Sequence, residues 1–175
     1  DQEVDETLGL EYRYLQLRQP ELSGKIRARH QISSAIRDCL NSEGFLDIET
    51  PILGKSTPEG ARDFIVPSRI SKGSCYALPQ SPQLFKQLFM ISGLDRYYQI
   101  TRCFRDEDLR ADRQPEFTQV DLEASFIDES DMQSLAKKIM SRACKAVQIP
   151  FETHTWSELS YDDAIRFYGT DAPDC

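Results

Sequence analysis

The chain has 175 residues, a formal net charge of −8, 39% hydrophobic and 29% charged residues, proportions ordinary for one soluble globular domain. Such acidity argues against a non-specific nucleic-acid binder, which needs a basic surface, without excluding one; an RNA partner can be held by a local basic patch or by another domain. No apolar run approaches the ~20 residues that span a bilayer, and the five scattered cysteines (Cys39, Cys75, Cys103, Cys144, Cys175), with only His30 and His154 beside them, point to reduced thiols in a cytoplasmic setting rather than to zinc.

Residues 1–7 are polar and acidic and read as part of a linker or frayed tail over residues 1–9, with the domain starting at Leu10. Ile32, Ile36 and Leu40 recur every fourth residue in a helix over residues 22–43, and Ile26 extends the same side. Gly44 then stands where a left-handed C-terminal cap belongs. Residues 45–50 form a short extended stretch that Pro51 ends. Ser81-Pro82 reads as an N-cap and a first-turn proline, opening a helix that carries Leu84, Phe85, Leu88 and Phe89 toward a core until Gly93.

Residues 97–104 and 117–126 alternate as half-buried strands, which puts Gln119, Asp121 and Glu123 on one face. The polar loop between them, residues 105–116, far exceeds the ~2–5 residues of an ordinary hairpin and reads as functional or disordered. A second amphipathic helix over residues 132–147 turns Leu135, Ile139, Ala143 and Val147 inward, and a short one from Tyr161 ends at Gly169. The sum is an α+β domain, an antiparallel sheet flanked by helices.

Four segments carry a resemblance. The unit ending Gly44-Phe45-Leu46-Asp47-Ile48-Glu49-Thr50-Pro51 looks like motif 1 of the class II aminoacyl-tRNA synthetases. Arg102-Cys103-Phe104-Arg105-Asp106-Glu107, followed by Arg113-Gln114-Pro115-Glu116-Phe117-Thr118-Gln119, looks like their strand-loop-strand motif 2. Ser56-Thr57-Pro58-Glu59-Gly60-Ala61-Arg62-Asp63 and Leu78-Pro79-Gln80-Ser81-Pro82-Gln83-Leu84-Phe85-Lys86-Gln87 narrow the resemblance to the aspartyl enzymes of bacterial type. It runs from about Leu10 to Asp174, and four motifs in the right order make coincidence very improbable.

The resemblance implies a reaction that joins the α-carboxylate of L-aspartate to the α-phosphate of ATP, followed by transfer to tRNA. Arg105 matches the arginine that bridges the two anions, a task suited to forked guanidinium donors. The bland alternative pairs it at the surface with Asp106 or Glu107, worth only ~0–1 kcal/mol. Phe117 matches the platform for adenine, against the plain alternative of a core aromatic. Asp106, Glu107 and Gln114 match positions around ATP, and Glu107 is a candidate ligand for Mg on the phosphates. Lys86 matches the cation for the side-chain carboxylate of aspartate, and Glu59, Ser81, Gln83, Gln119 and Asp121 match positions lining the amino-acid pocket; Glu123 fits either a pocket or a solvent face. The loop with Arg110 and Arg113 lies where the family meets the tRNA acceptor stem, and residues 22–51 where it forms a homodimer.

The family's third motif, its anticodon-binding barrel and its inserted domain have no counterpart here, so the resemblance covers only the N-terminal part of the catalytic domain. Three readings follow: part of an aspartate–tRNA ligase, inactive by itself; a truncated paralogue that serves as a dimerisation or binding module; or an ATP-dependent amino-acid ligase such as an asparagine synthetase. The intact Gln80–Gln87 segment favours the first over the second, and the long acceptor-stem loop disfavours the third.

Overall fold

The computed structural model describes residues 6–57, 59–108, 110, 113–150, 156 and 158–174. In chain order the elements are α1 (Glu6–Glu11), α2 (Arg13–Gln16), α3 (Pro20–Ser42), β1 (Leu46–Asp47), β2 (Ile65–Pro67), β3 (Cys75–Ala77), α4 (Gln83–Ile91), β4 (Arg96–Phe104), β5 (Glu116–Ala124), α5 (Glu129–Ala146) and α6 (Tyr161–Tyr168). Residues 1–5 of the expected tail lie outside the described residues. Glu6 and Thr7 already belong to α1, where the acidic Glu6 meets the positive end of the helix dipole. Pro20 at the first position starts α3 two residues earlier than the apolar period indicates.

The main sheet has the order β1-β4-β5. β4 and β5 pair antiparallel from Arg96↔Ala124 to Phe104↔Glu116. The expected antiparallel pair is flanked by a two-residue parallel edge, β1 on β4, with Leu46 against Tyr97 and Asp47 against Tyr98. Parallel partners need a long connection, and the excursion between β1 and β4 through β2, β3 and α4 supplies it. Within that excursion β2 and β3 form a separate antiparallel hairpin. The sequence hid it, because β2 is exposed along its whole length and shows no alternation.

Alternation along β4 and β5 gives the main sheet two different faces. Tyr98, Ile100, Leu122 and Ala124 pack with Ile36, Leu40 and Phe45 and with Leu135 and Ala143 of α5 to make the core. The other face of β4 carries Tyr97, Gln99, Thr101 and Cys103, all buried. Phe89 of α4 lies against it, its ring 5.3 Å from that of Tyr97. A strand face with two polar residues buried under a helix is therefore no solvent side.

Four expectations about packing need correction. Ile26 is 54% exposed, because the core contacts of α3 begin only at Ile32. Leu84 and Leu88 of α4 are exposed, while Phe85 and Phe89, about 100° around the helix, are the half-buried pair. β5 stops at Ala124, and Phe126 leaves the sheet with φ 58 and its side chain 96% exposed. α5 begins three residues before the expected Met132, since Asp128 and Asp131 form a reciprocal capping box.

Candidate active site

The polar face of β4 and β5 is the floor of the site, and α4 with the segment before it is one wall. Gln119, Asp121 and Glu123 stand on this face opposite Thr101, Gln99 and Tyr97. From α4, Lys86 reaches down and places its Nζ 3.0 Å from Asp121 Oδ1 and 3.2 Å from Glu123 Oε2. The pair is largely dry, with side-chain exposures of 13% for Lys86 and 9% for Asp121. Burial lowers the pKa of Lys86, but the hydrogen bonds and charges of Asp121 and Glu123 outweigh it and hold the ammonium above its ordinary value. Asp121 Oδ2 is buried with no hydrogen-bond partner. A bare carboxylate oxygen in such a place is costly, and an ammonium donor would satisfy it.

The floor is tied together from below. Tyr97 donates its hydroxyl proton to Gln99 Oε1 at 3.1 Å, and Thr50 Oγ1 donates to the same oxygen at 2.9 Å. Burial and then the charge of Asp121 raise the Tyr97 phenol well above its usual range, so it remains a donor. Cys103 Sγ donates to Gln119 Oε1 at 3.2 Å. Burial pushes the Cys103 thiol up to about 11; Arg105 pulls against the rise, while Asp121 and Glu59 add to it. The thiol thus sits within electrostatic reach of three of the residues expected in the site.

Ser81 does not cap α4 as expected. The N-cap is Pro82, with no side-chain cap bond, and Ser81 Oγ instead donates to Glu59 Oε2 at 2.7 Å. Thr57 Oγ1 holds the other oxygen of Glu59 at 2.8 Å. The Glu59 carboxylate is therefore fixed beside the segment that opens the Lys86 helix.

At the far end of the hairpin, Arg105 lies over the ring of Phe117, with Cζ 5.1 Å from the centroid. Its neighbours turn elsewhere: Asp106 Oδ2 is 3.7 Å from Arg62 Nε, and Glu107 Oε2 is 3.6 Å from Arg113 Nη1. The surface pairings considered for Arg105 from sequence are thus taken by other arginines. The two ends of the loop are joined by Arg105 N–H donating to Pro115 O at 2.9 Å, and nearer its tip Arg113 N–H donates to Arg110 O at 3.1 Å.

The structure brings together Lys86 with Asp121 and Glu123, Ser81 with Glu59, and Arg105 with Phe117. Gln83, half-buried in the first turn of α4, and Gln114, exposed in the loop, are hydrogen-bonded to none of the other expected site residues. Sequence reasoning missed Thr57, Gln80, Tyr97 and Gln99. A buried glutamine in a turn carries no periodic signal, and Tyr97 and Gln99 sit among apolar strand residues. Among the described residues no group of three or more His, Cys, Asp or Glu is placed to hold a metal ion. Cys39, Cys75, Cys103 and Cys144 are free thiols, and Cys175 lies outside the described residues. Among the described residues no helix is long and apolar enough to cross a membrane.

The aspartate–tRNA ligase of Staphylococcus haemolyticus (strain JCSC1435) is 57% identical over 174 residues, 99% of this chain and 30% of that enzyme. The aspartate–tRNA ligase of Staphylococcus carnosus (strain TM300) is 56% identical over the same length and shares. The chain therefore spans less than a third of the length of these relatives. Among solved structures, the asparaginyl-tRNA synthetase of Pyrococcus horikoshii complexed with asparaginyl-adenylate superposes with a TM-score of 0.70 at 27% identity, covering 83% of this chain and 34% of that one. The profile of the class II tRNA synthetases (D, K and N) matches residues 5–175, and the chain belongs to that family.

Proposed function

We propose that this chain is part of the catalytic domain of an aspartate–tRNA ligase, which activates L-aspartate with ATP and transfers it to tRNA in the cytoplasm. The observation that carries the reading is the dry Lys86–Asp121 pair with its partnerless Oδ2, in a chain 57% identical to such ligases. Aspartate brings two carboxylates and one ammonium. Lys86 meets the side-chain carboxylate, and Asp121 Oδ2 with Glu59 receives the ammonium, aided by Ser81, Gln83 and Gln119. Each charged contact in so dry a place is worth ~1.5–3 kcal/mol.

Arg105 carries the chemistry. From its seat on Phe117 it bridges the α-carboxylate and the α-phosphate and stabilises the charge that builds on the phosphoryl oxygens as the carboxylate attacks. Phe117 offers a face to adenine, and Asp106 and Gln114 border the nucleotide. Mg, when bound, screens the phosphate charge; Glu107 would supply one carboxylate, in keeping with an ion held mainly by phosphate oxygens and water. The loop arginines Arg110 and Arg113 face the tRNA acceptor stem, and residues 22–51 form the homodimer.

The test is aspartate-dependent exchange of pyrophosphate into ATP by the polypeptide as its gene encodes it. Aspartate should support exchange and asparagine and lysine should not, and Arg105→Ala should slow it by about a hundredfold to a thousandfold. Exchange that prefers another amino acid, or that survives Arg105→Ala unchanged, overturns the reading.

A further inference from the structure

Gln80 is 1% exposed. Its side chain is spent on a segment nearly twenty residues earlier in the chain. Nε2 donates to the backbone oxygen of Ala61 at 2.8 Å and to Asp63 Oδ1 at 2.5 Å, while Oε1 accepts from Ala61 N–H at 3.2 Å. Ser56 Oγ donates to the other oxygen of Asp63, so the segment is also closed on itself. Hydrogen bonds from Ser56 and Gln80 hold the Asp63 carboxyl below its usual range, in keeping with a clamp made by the ionised form.

The next residue, Ser81, holds Glu59 of the same segment. Two successive residues at the entrance of α4 therefore dock one loop at two points: Gln80 takes its outgoing limb at Ala61 and Asp63, and Ser81 takes the carboxylate near its turn. Gly60, with φ 102, lies between those points and makes the turn in a region closed to residues with a Cβ. The serine contact is one part-buried hydrogen bond, whereas the glutamine amide makes three, to the N–H and C=O of Ala61 and to the half-buried carboxylate of Asp63. Thr57 and Ser81 hold the Glu59 carboxylate directly, and the amide fixes the limb of the loop that follows it.

We propose that Gln80 is a positioning residue: its buried amide clamps the 56–63 loop so that Glu59 is presented to the amino group of the amino-acid substrate. This rests on the function proposed above, but the clamp has a readout of its own. Gln80→Glu keeps the shape and turns the donor to Asp63 and Ala61 O into an acceptor, which breaks the clamp; adding Asp63→Asn restores a donor opposite the new carboxylate. In the polypeptide as encoded, Gln80→Glu should raise KM for aspartate in pyrophosphate exchange by about ten- to a hundredfold, the effect of leaving buried polar groups unpaired, with KM for ATP within about threefold. Gln80→Glu/Asp63→Asn should recover part of the loss, because it restores the bond to residue 63 while Ala61 O still faces an acceptor.

Hydrogen exchange of residues 56–63 reads the clamp without activity: Gln80→Glu should lose protection there and the double variant regain part of it. An unchanged aspartate KM, an equal rise in the ATP KM, or no recovery in the double variant overturns the proposal. If the parent polypeptide shows no aspartate-dependent exchange, the proposed function fails, and the proposal with it even where hydrogen exchange finds the clamp. Should Gln80→Glu not fold, Asp63→Ala at its half-buried position removes the outer half of the clamp and should raise the aspartate KM several-fold; no change overturns the proposal equally.

Discussion

Lys86 faces two carboxylates across 3.0 and 3.2 Å, and this triad decides much of what the floor of the site can do. Removing the ammonium would strand Asp121 in a place where one of its oxygens already has no partner. Breaking a buried pair by deleting one member costs about 3–5 kcal/mol, so Lys86→Met should lose about 3 kcal/mol of stability at neutral pH, with the half-exposed Glu123 adding little. The folded lysine has a raised pKa, so its stabilising contribution is complete below the ordinary lysine value of ~10.4 and is lost as pH rises through the higher folded value. Urea unfolding of both proteins should show a constant deficit from pH 7 to 10 that narrows only at higher pH; no deficit at pH 7 would show that the pair does not stabilise the fold, and one that vanishes by pH 9 that the carboxylates do not outweigh burial. Period-two alternation was enough to put Gln119, Asp121 and Glu123 side by side. It could not say that a lysine 35 residues earlier would cover two of them, because that contact is tertiary and leaves no local pattern. The roles of Arg105 and Phe117 came from resemblance, and the spacing of the residues held no trace of their stacking.

Three helices end in the same way, and they test how far local sequence rules reach. At the end of α3, Phe45 N–H reaches Leu40 O and Gly44 N–H reaches Asn41 O; α4 repeats this with Leu94 to Phe89 and Gly93 to Met90, and α5 with Ile149 to Cys144 and Gln148 to Lys145. The residue in the left-handed position is glycine in the first two and Gln148, with φ 59, in the third. A Cβ in that conformation costs about 1–2 kcal/mol, against about 0.5–1 kcal/mol of extra chain entropy that a glycine loses on folding. Gly44→Ala should therefore destabilise by about 1 kcal/mol and Gln148→Gly should stabilise by about 0.5 kcal/mol, read as opposite shifts in urea midpoint at constant slope. Shifts of the same sign would mean that the caps do not share a mechanism. The glycine caps were legible because glycine is the expected residue there, and the C-terminal cap at Gln148 was not. The start of α5 was hidden for a related reason, since its capping box uses Asp131 where glutamate or glutamine is the usual signal. The parallel contact of β1 was invisible for another: two residues cannot display a period.

At the scale of the whole molecule, the surface of the α3–β1 unit is the feature that asks for a partner. Ile26 is 54% exposed, Leu46 49%, and Ile52 and Leu53 just beyond Pro51 are 47% and 52% exposed. Next to β1 an open, mostly polar groove of about 550 Å³ is lined among others by Arg37, Asp47, Glu49, Thr50 and Ile52. A second copy related by a twofold axis would meet this surface with the same surface, which is the simplest way to cover it. The groove also touches Gln99, whose side-chain oxygen accepts from Thr50 on one side and from Tyr97 on the other, so the proposed dimer face and the candidate site meet at one side chain. Sedimentation at micromolar concentration should find a dimer, and burying ~1,000 Å² or more is what such an association needs. Ile26→Glu combined with Leu46→Glu places like charges in both copies and should yield a monomer that still unfolds in one cooperative transition. A parent chain that stays monomeric at every concentration, or a double variant that dimerises as well as the parent, would remove residues 22–51 as the interface.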